Sequence, residues 1–390
     1  MSIPARFIDL HILQSVPFAN LNRDDTNSVK TVQYGNTLRT RVSSQSWKRA
    51  TRAVFEDKIG QAALRTRRIG ERVTRELLER DWTETAAQRA GAHMAAASSI
   101  KFELAKDPAD AKQTVPNKVL TNAMVYVPQT AVAELADLAE AHRETLEKAK
   151  DIKKPADKSV LPKDEVEAVL RSRNGVINLF GRMLAEVDNA GVDGAVQVAH
   201  ALTTHQTDVE LDYFSAVDDI TAAWGDATGS GHMGHAEFSA GTFYRYATVD
   251  LRDLAANIGD EPQAARELTA AFLAAFIESL PQAKKNSTAP HTIPDLVHLC
   301  VRTDRPLSYA AAFEEPVQAR GGFAQTSRTR LDEYAVAANR LLGTGRVLTS
   351  GWAGLHTGDL TGLGQRHDSF DSLITTVLDA ALADSKDETA

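Results

Sequence analysis

Cysteine and aromatic residues are scarce in this sequence. Its 390 residues include one cysteine, Cys300, and only 6% of them are aromatic. A single cysteine cannot form an internal disulfide, which suits a reducing compartment and predicts a cytoplasmic protein. The apolar run LVHLCVR around Cys300 favours a buried small hydrophobic residue over a nucleophile. The low aromatic content argues against a broad platform on which nucleic-acid bases would stack.

Signals for membrane insertion, secretion and phosphate loops are missing as well. No stretch approaches the roughly 18 consecutive apolar residues of a membrane span, and the N-terminus lacks the pattern of a signal peptide. Neither a G-x-G-x-x-G nor a Walker sequence is present. The 43% hydrophobic and 25% charged residues support a sizeable core, in one large domain with insertions or in two or three domains.

Positive charge is concentrated near the N-terminus. The net charge of the chain is −8, yet residues 1–80 contain 15 basic and 8 acidic residues. Residues 26–55 contain no acidic residue and six basic ones. These are Lys30, Arg39, Arg41, Lys48, Arg49 and Arg52. An acidic protein is a poor candidate for non-specific nucleic-acid binding, but a concentrated basic strip is typical of binding along a defined groove.

The end of this strip predicts a helix from Ser44 to Gly60. Ser43 or Ser44 can cap the amides of the first turn, and Gly60 is a typical helix terminator. One face, at spacing i, i+3, i+4 and i+7, would present Gln45, Lys48, Arg49 and Arg52. The opposite face would pack Trp47, Ala50 and Val54 on the core. The helix start and its polar face would suit phosphates; the alternative is an ordinary amphipathic helix with a solvated basic face.

The remaining patterns predict an open α+β sheet with insertions rather than a parallel βαβ fold. Arg6 to Gln14 alternates as a half-buried strand, and residues 38–42 are typical of a second, short strand. Residues 61–175 are helical in character, and a glycine-dotted segment near 207–237 is typical of an extended hairpin. Further strands are predicted at Thr242 to Val249 and Leu296 to Thr303, and further helices at 262–280 and 328–343.

A lysine-rich stretch occurs at residues 148–163, where six lysines stand against Asp151 and Asp157. One interpretation is a solvated helix end and linker. The other is a sequence-independent electrostatic contact to a second polyanion, because lysine acts as a point charge.

Histidine and aspartate pairs are the candidates for catalysis or metal binding. His200 with His205, and His232 with His235, are close pairs, but no carboxylate stands at the spacing of a metal signature. The acidic pairs Asp24–Asp25 and Asp218–Asp219 could hold magnesium in a nuclease, or could order their loops and turns. We therefore predict no catalytic residue, no metal site and no cofactor from these patterns, and an enzyme stays an open alternative at this point.

Several longer motifs resemble a known family. They are NRDD, VSSQSWKRATR, HALTTHQTDVELDYFSAVDD, HMGHAEFSAGTFYRYA and PLSYAAAFEEPV. From about Phe7 to Gly343, the sequence resembles the CasC-type backbone subunits of type I-E CRISPR Cascade surveillance complexes. Residues 61–165 and 344–390 match that family only in general character.

The resemblance implies a hand-like α+β fold with an RRM-like (ferredoxin-like) palm, a helical fingers insertion and a β-hairpin thumb. The palm would comprise residues 1–60, 176–206 and 238–345, the fingers 61–175 and the thumb 207–237, followed by a C-terminal extension at 346–390. The implied function is non-catalytic: copies polymerise along a CRISPR RNA (crRNA) and order it for pairing with invading DNA in antiviral defence. The implied partners are the guide RNA, target DNA, other copies of the chain and the other Cascade subunits, with no membrane.

The resemblance also implies residue roles. With Arg52 from the basic helix face, the guide-contacting positions are Arg23, Lys30, Arg41, Ser44, Gln45, Lys48, Arg49 and Arg320. The nucleotide wedge matches Met183, Phe214 and Ser215. The lysine-rich fingers helix of the family, which is thought to hold DNA, is matched by Lys153, Lys154 and Lys158.

The chain departs from the family near AFEEPVQARGG, where the family tends to carry lysines. Glu315 and Gln318 stand here, and only Arg320 keeps the charge. Two rival functions remain. One is a metal-dependent, guide-directed ribonuclease that uses Asp24 or Asp25. The other is an α+β enzyme whose basic strip binds a phosphorylated small molecule.

Overall fold

The protein is a mixed α+β molecule with a mostly antiparallel central sheet and several helices. The structure, a computed structural model, describes residues 5–217, 230–343 and 345–383, and of residues 217 and 230–232 only the backbone. The predicted α+β class is confirmed. None of the helices in the described ranges has the length and apolar character that a membrane crossing requires.

The strands fall into one large sheet and two small ones. They are β1 (Phe7–Ala19), β2 (Thr31–Tyr34), β3 (Thr37–Val42), β4 (Ala63–Thr66), β5 (Phe102–Lys106), β6 (Thr114–Thr121), β7 (Val125–Pro128), β8 (Val196–Val198), β9 (Ala201–Thr203), β10 (Glu210–Val217), β11 (Ser230–Asp250), β12 (Leu296–Arg302), β13 (Val347–Gly354) and β14 (Gln365–Arg366). The large sheet has the order β14-β13-β12-β1-β11-β9-β3-β2, with β8 and β10 also paired to β11. β14 joins β13 in parallel, and the other described pairs of this sheet are antiparallel.

The helices cover the sheet and build the insertion. They are α1 (Ser44–Ile59), α2 (Ile69–Glu79), α3 (Glu84–Ala96), α4 (Ala131–Ala141), α5 (Arg143–Lys148), α6 (Lys163–Arg171), α7 (Gly175–Phe180), α8 (Leu251–Ile258), α9 (Pro262–Glu278), α10 (Lys285–Thr288), α11 (Ala324–Leu342) and α12 (Phe370–Ala381). Short 3-10 turns lie at Ala310–Phe313 and Thr361–Leu363.

β1 is the central strand of the large sheet. It pairs with β11 on one side and β12 on the other, and its residues from Phe7 to Gln14 are all buried. The sequence prediction of a half-buried strand is therefore wrong. A central strand that is covered on both faces, here by helices and by the 310–335 segment, has no solvent-facing side. The alternation of apolar and polar residues along it therefore does not indicate which side chains are exposed.

The chain divides into two compact units. The sheet unit comprises Met1–Lys58, Val196–Ala255 and Asp260–Ala390, as far as these ranges are described. The insertion unit comprises Ile59–Ala195 and Ala256–Gly259. It is less purely helical than the sequence indicated, because it contains the antiparallel pairs β4–β7 and β5–β6. It also extends past residue 175, because Leu184, Val187 and Ala190 are buried in its own core.

A row of polar side chains lies buried on the face of the sheet that the residues near 310 and α11 cover. The carboxylate of Asp9 pairs with Arg302 at 3.1 Å and accepts hydrogen bonds from Tyr246 Oη at 2.9 Å and from the Leu307 amide at 3.0 Å. His11 stacks on Tyr309, with ring centroids 4.0 Å apart, and His298 Nδ1 donates to the Gly351 carbonyl at 3.0 Å. Burial lowers the pKa of His298 to about 4 and that of His11 well below its usual range, while burial raises the pKa of Asp9 to about 6.

These pKa shifts predict acid sensitivity. His298 stays neutral in the folded protein down to about pH 4, whereas in the unfolded chain it takes up a proton once the pH falls below about 6.5. Acidification therefore favours the unfolded chain. Stability is then lost as the pH falls through that window; His11 acts in the same direction, and Asp9, whose pKa is raised, acts in the opposite one. Between pH 7 and pH 5, the protonation of His298 in the unfolded chain should lower the free energy of unfolding by about 2 kcal/mol.

The measurement is urea unfolding at pH 7 and pH 5. His298→Gln should show a smaller loss of unfolding free energy on acidification than the wild type. The control is His291→Gln, because His291 is exposed. Equal losses in the His298 variant and the wild type would contradict the assignment.

Candidate nucleic-acid interface

Helix α1 is fixed to the sheet unit by its inward face. Trp47, Thr51 and Phe55, each four residues from the next, are buried. The sequence prediction puts Ala50 and Val54 on this face, but both are only partly buried. The inward stripe follows the i, i+4, i+8 row that starts at Trp47.

Beneath Trp47 lies the buried guanidinium of Arg245, on β11. Its Cζ is 3.9 Å from the ring centroid of Trp47 and 4.7 Å from that of Phe276. Its Nη1 donates to Gln14 Oε1 at 2.7 Å, and its Nη2 donates to the Phe276 carbonyl. Burial lowers the pKa of Arg245 to about 9. The two rings and two acceptors stabilise the cation and join α1, α9, β1 and β11 at one point.

The outward face of α1 carries the predicted polar residues. Ser43 is the cap, because its Oγ accepts from the Ser46 amide at 3.3 Å and its carbonyl accepts from Trp47. Gln45 and Arg49 lie on the solvent side, whereas burial lowers the pKa of Lys48. Arg52 lies near Glu56, 3.8 Å away.

A histidine completes the start of α1. Nδ1 of His200 lies 3.1 Å from Arg41 Nη1 and accepts from the Ser44 amide at 3.4 Å. Partial burial, followed by the charges of Arg41 and Lys30, lowers the pKa of His200. A neutral ring therefore orients Arg41 beside the first helical amide. From the sequence, His200 was a candidate only for metal binding.

The loop before β2 is ordered by one aspartate. Asp24 Oδ1 accepts from the Thr26 amide at 2.9 Å, from Thr26 Oγ1 at 2.8 Å and from the Ser28 amide at 2.9 Å. The hydrogen bond from the Thr26 side chain is the largest contribution to lowering the pKa of Asp24. Arg23 is exposed and donates to Asn27 Oδ1 at 3.1 Å. Of the two interpretations of the Asp24–Asp25 pair, this geometry favours loop ordering.

A cleft of about 590 Å³ lies between this loop, α1 and the segment before α10. Its lining includes Leu21, Asn22, Arg23, Asp24, Asn27, Ser46, Arg49, Ala50, Ala53, Pro281, Gln282 and Ala283. Two guanidiniums, of Arg23 and Arg49, therefore face a polar groove beside the N-terminal turn of a helix, an arrangement that suits phosphate oxygens. Lys284 follows this lining directly and is a cation that no sequence motif singled out.

Arg39 does not belong to this surface, although it contributes to the basic strip. Its side chain is buried and donates to the carbonyls of Thr203 at 2.9 Å and Phe313 at 3.0 Å. It fixes β3 to distant segments of the chain and has no role at the surface.

The hairpin of β10 and β11 carries the predicted wedge residues Phe214 and Ser215. Phe214 pairs with Gly234, and a Cβ on that glycine would lie only 2.6 Å from the Phe214 ring, so the ring covers the glycine backbone. Phe214 is 45% exposed. Because successive strand residues point to opposite faces, Ser215 lies on the other face, with Tyr213, whose hydroxyl is 2.7 Å from Met233 Sδ.

Met183, the third wedge residue, belongs to the insertion unit and is 90% exposed. Arg182 before it is buried, and its guanidinium donates to the carbonyls of Ala190 at 2.7 Å, Ser172 at 2.8 Å and Leu170 at 3.0 Å. Leu184 after it is buried too. Met183 is thus held outward between two anchored neighbours.

The remaining cations of the prediction lie on loops. The loop between α5 and α6, and not a helix, carries Lys153, Lys154 and Lys158. Asp157 Oδ2 closes a turn in this loop, because it accepts hydrogen bonds from the amides of Lys153 at 2.8 Å and Lys154 at 3.1 Å. Arg320 lies on a loop of the sheet unit, followed by glycines with positive φ.

Of the two histidine pairs, only His200 and His205 have both side chains within the described residues. The ring of His205 stacks on Phe323 at 3.5 Å, and its Nε2 accepts from the Thr242 amide at 3.1 Å, so it has different partners from His200. No group of three His, Cys, Asp or Glu residues is placed for a metal within the described residues. The side chain of His232 and the pair Asp218–Asp219 lie outside the described residues.

The fold and this surface define the class: an α+β protein with a large antiparallel sheet and a cationic cleft at a helix start. The family follows from comparison with known proteins. The model of the CT1975-like protein family matches residues 8–376, and the chain belongs to that family.

Solved structures are similar over nearly the full length. A chain titled as a pre-nicking CRISPR RNA-guided surveillance complex is 43% identical, with 96% of this chain and 100% of that chain covered and a TM-score of 0.87. A second, titled as a CRISPR RNA-guided surveillance complex, is 38% identical, with 96% and 99% covered and a TM-score of 0.77. No curated protein matches the chain.

Arg245→Met tests whether the buried guanidinium holds α1 in place. We expect the unfolding free energy to fall by about 2–4 kcal/mol, because Gln14 Oε1 and the Phe276 carbonyl lose their donor and Trp47 loses its cation. The measurement is urea unfolding, and the control is Arg340→Met, whose side chain is exposed. A change as small as that of the control would show that Arg245 does not anchor the helix.

Proposed function

We propose that this protein is a subunit of a CRISPR RNA-guided surveillance complex of the Cascade class and that it binds the guide RNA. The observation that carries this proposal is the likeness to a chain of such a complex at 43% identity and a TM-score of 0.87, with 100% of that chain covered. A match of this extent includes the cleft, the hairpin and the insertion unit together, so the proposal does not rest on the sheet alone.

The finer proposal is that the chain is a backbone subunit of the type I-E, CasC-type kind. The large sheet would act as an RRM-like palm, the insertion unit as fingers and the β10–β11 hairpin as the thumb. Copies would assemble head to tail along the crRNA in the cytoplasm and present it to invading DNA in antiviral defence. Base pairing would read the sequence, and the protein would grip the backbone without catalysing a reaction.

The cleft supplies the grip. Arg23 and Arg49 face it, Lys48 and Arg52 extend the same helix face, and Lys30 lies near Arg41 and His200. Ser44 and Gln45 add polar groups where the helix dipole favours an anion. Cationic side chains on an otherwise acidic protein confine the RNA to one path.

The exposed apolar side chains of Phe214 and Met183 would interrupt the stacking of the guide bases. Phe214, on the hairpin, and Met183, in the insertion unit, would each contact a nucleotide displaced from the stack, and Ser215 would contact the neighbouring backbone. Inserting apolar wedges costs a few kcal/mol per base step, which repeated phosphate contacts must offset. Lys153, Lys154 and Lys158 would hold DNA, and Arg320 would add a guide contact.

The rival functions receive less support. A ribonuclease would need carboxylates that hold magnesium. Asp24 Oδ1 already accepts three hydrogen bonds within its loop. Within the described residues, Asp25 does not belong to a group of three possible metal ligands. A small phosphorylated ligand would fit the cleft by charge, but such an enzyme leaves the exposed hairpin without a role. Cleavage of guide-paired RNA by the wild type, abolished in Asp24→Ala with Asp25→Ala, would favour the ribonuclease.

The cleft makes a prediction about salt. Arg23→Gln with Arg49→Gln should weaken RNA binding and flatten the dependence of log affinity on log salt, by about 0.7 for each phosphate of a single strand that is no longer neutralised. The control is Arg252→Gln with Arg340→Gln, which removes the same charge from exposed positions outside the cleft. Equal slopes in the two double variants would refute the cleft as the phosphate path.

Co-expression tests the function as a whole. The chain is expressed with a repeat–spacer transcript and its neighbouring subunits, and the bound RNA is probed with nuclease. We expect a protected guide with regularly spaced reactive nucleotides, and in Phe214→Ala a loss of that spacing because the base restacks. A discrete protein without RNA, under conditions in which the partners assemble, would overturn the proposal.

A further inference from the structure

A further exposed aromatic side chain, Phe18, lies at the base of the hairpin. The register of β1 with β11 shifts between Val16 and Ala19, and the two residues in this irregularity, Pro17 and Phe18, are exposed. Phe18 is 40% exposed. Bulges re-aim side chains, so the strand that is buried along most of its length ends with a phenylalanine turned to solvent.

Phe18 is held by the ring of Phe238, and that same ring lies close to a cation. It stacks on Phe238, whose own exposure is only 4%, with ring centroids 4.3 Å apart and planes 24° apart. Nζ of Lys284 lies 5.0 Å from the Phe238 centroid. Phe238 covers one face of the Phe18 ring, so the exposure of Phe18 belongs to its other face and edge.

This pair continues the candidate interface in two directions. Phe238 and Gly234 are four residues apart on β11, so they share one face of the hairpin. Because the Phe214 ring covers Gly234, Phe214 and Phe238 lie about 13 Å apart along the strand. On the other side, Lys284 follows Ala283, which lines the cleft with Arg23 and Arg49. The Phe18–Phe238 pair thus lies between Phe214 on the hairpin and the cleft that Arg23 and Arg49 face.

We propose that Phe18 stacks against an unpaired base of the single-stranded guide RNA, while Lys284 contacts an adjacent phosphate. This inference rests on the proposed function and adds a base-contacting site outside the wedge. Every base has a π-face, so stacking of this kind is independent of sequence and suits a protein that accepts any guide.

The test is binding of a fluorescently labelled single-stranded repeat–spacer RNA to the full-length chain over a range of salt concentrations. Phe18→Ala should weaken binding by about 5- to 150-fold, the range for loss of one stacked base, without changing the salt slope. Phe18→Tyr should bind like the wild type, and Phe18→Leu like the alanine variant. Lys284→Gln should instead reduce the salt slope by about 0.7.

Phe18→Leu separates stacking from a structural role, because leucine still shields Phe238 from water. Wild-type affinity in Phe18→Leu, with unchanged thermal unfolding, would overturn the inference and leave the guide-binding function standing. Unchanged RNA binding in Phe18→Ala with weaker association between copies would also overturn it, and would assign the ring to a protein contact. Failure of the wild type to bind RNA would overturn the proposed function itself.

Discussion

A buried guanidinium under an indole ring is the constraint on which the sheet unit depends. Arg245 is out of water, so its charge has to be stabilised by the ring faces of Trp47 and Phe276 and by acceptors from Gln14 and the Phe276 backbone. These partners come from α1, α9 and β1. A rotation of α1 about its axis would withdraw Trp47 from the cation, so the inward contact also determines which residues of α1 face the cleft.

The same strand that carries Arg245 carries the hairpin. β11 pairs with β1 along its C-terminal half and with β10 along its N-terminal half, so the hairpin continues a strand whose other end is buried in the sheet. Glu237, near the junction, accepts from Ser28 Oγ at 3.0 Å and from the Val29 amide at 2.9 Å, and its own carbonyl accepts from Asn20 at 2.9 Å. The loop that presents Arg23 is therefore tied to the base of the hairpin.

Features set by local signals could be predicted from the sequence, and features set by distant contacts could not. The serine cap, Gly60 and the period of the basic residues located α1 to within a residue. The charge of Arg39 gave no sign of burial, because the carbonyls that receive it belong to Thr203 and Phe313, far along the chain. The role of His200 was missed for the same reason: it depends on Arg41 and Ser44, which β3 and β9 bring beside it.

Average composition is a weak guide to a local surface. Aromatic residues make up only 6% of the chain, yet Phe238 and Phe214 share one hairpin face, and Phe18 stacks on the first of them. The net charge of −8 has a related consequence. A uniformly basic protein would attract a polyanion everywhere, whereas an acidic protein attracts it only at local cationic clusters, such as the cleft that Arg23 and Arg49 face. An acidic composition that argues against non-specific nucleic-acid binding is thus compatible with binding at defined places, because repulsion elsewhere reduces competition for the cationic clusters.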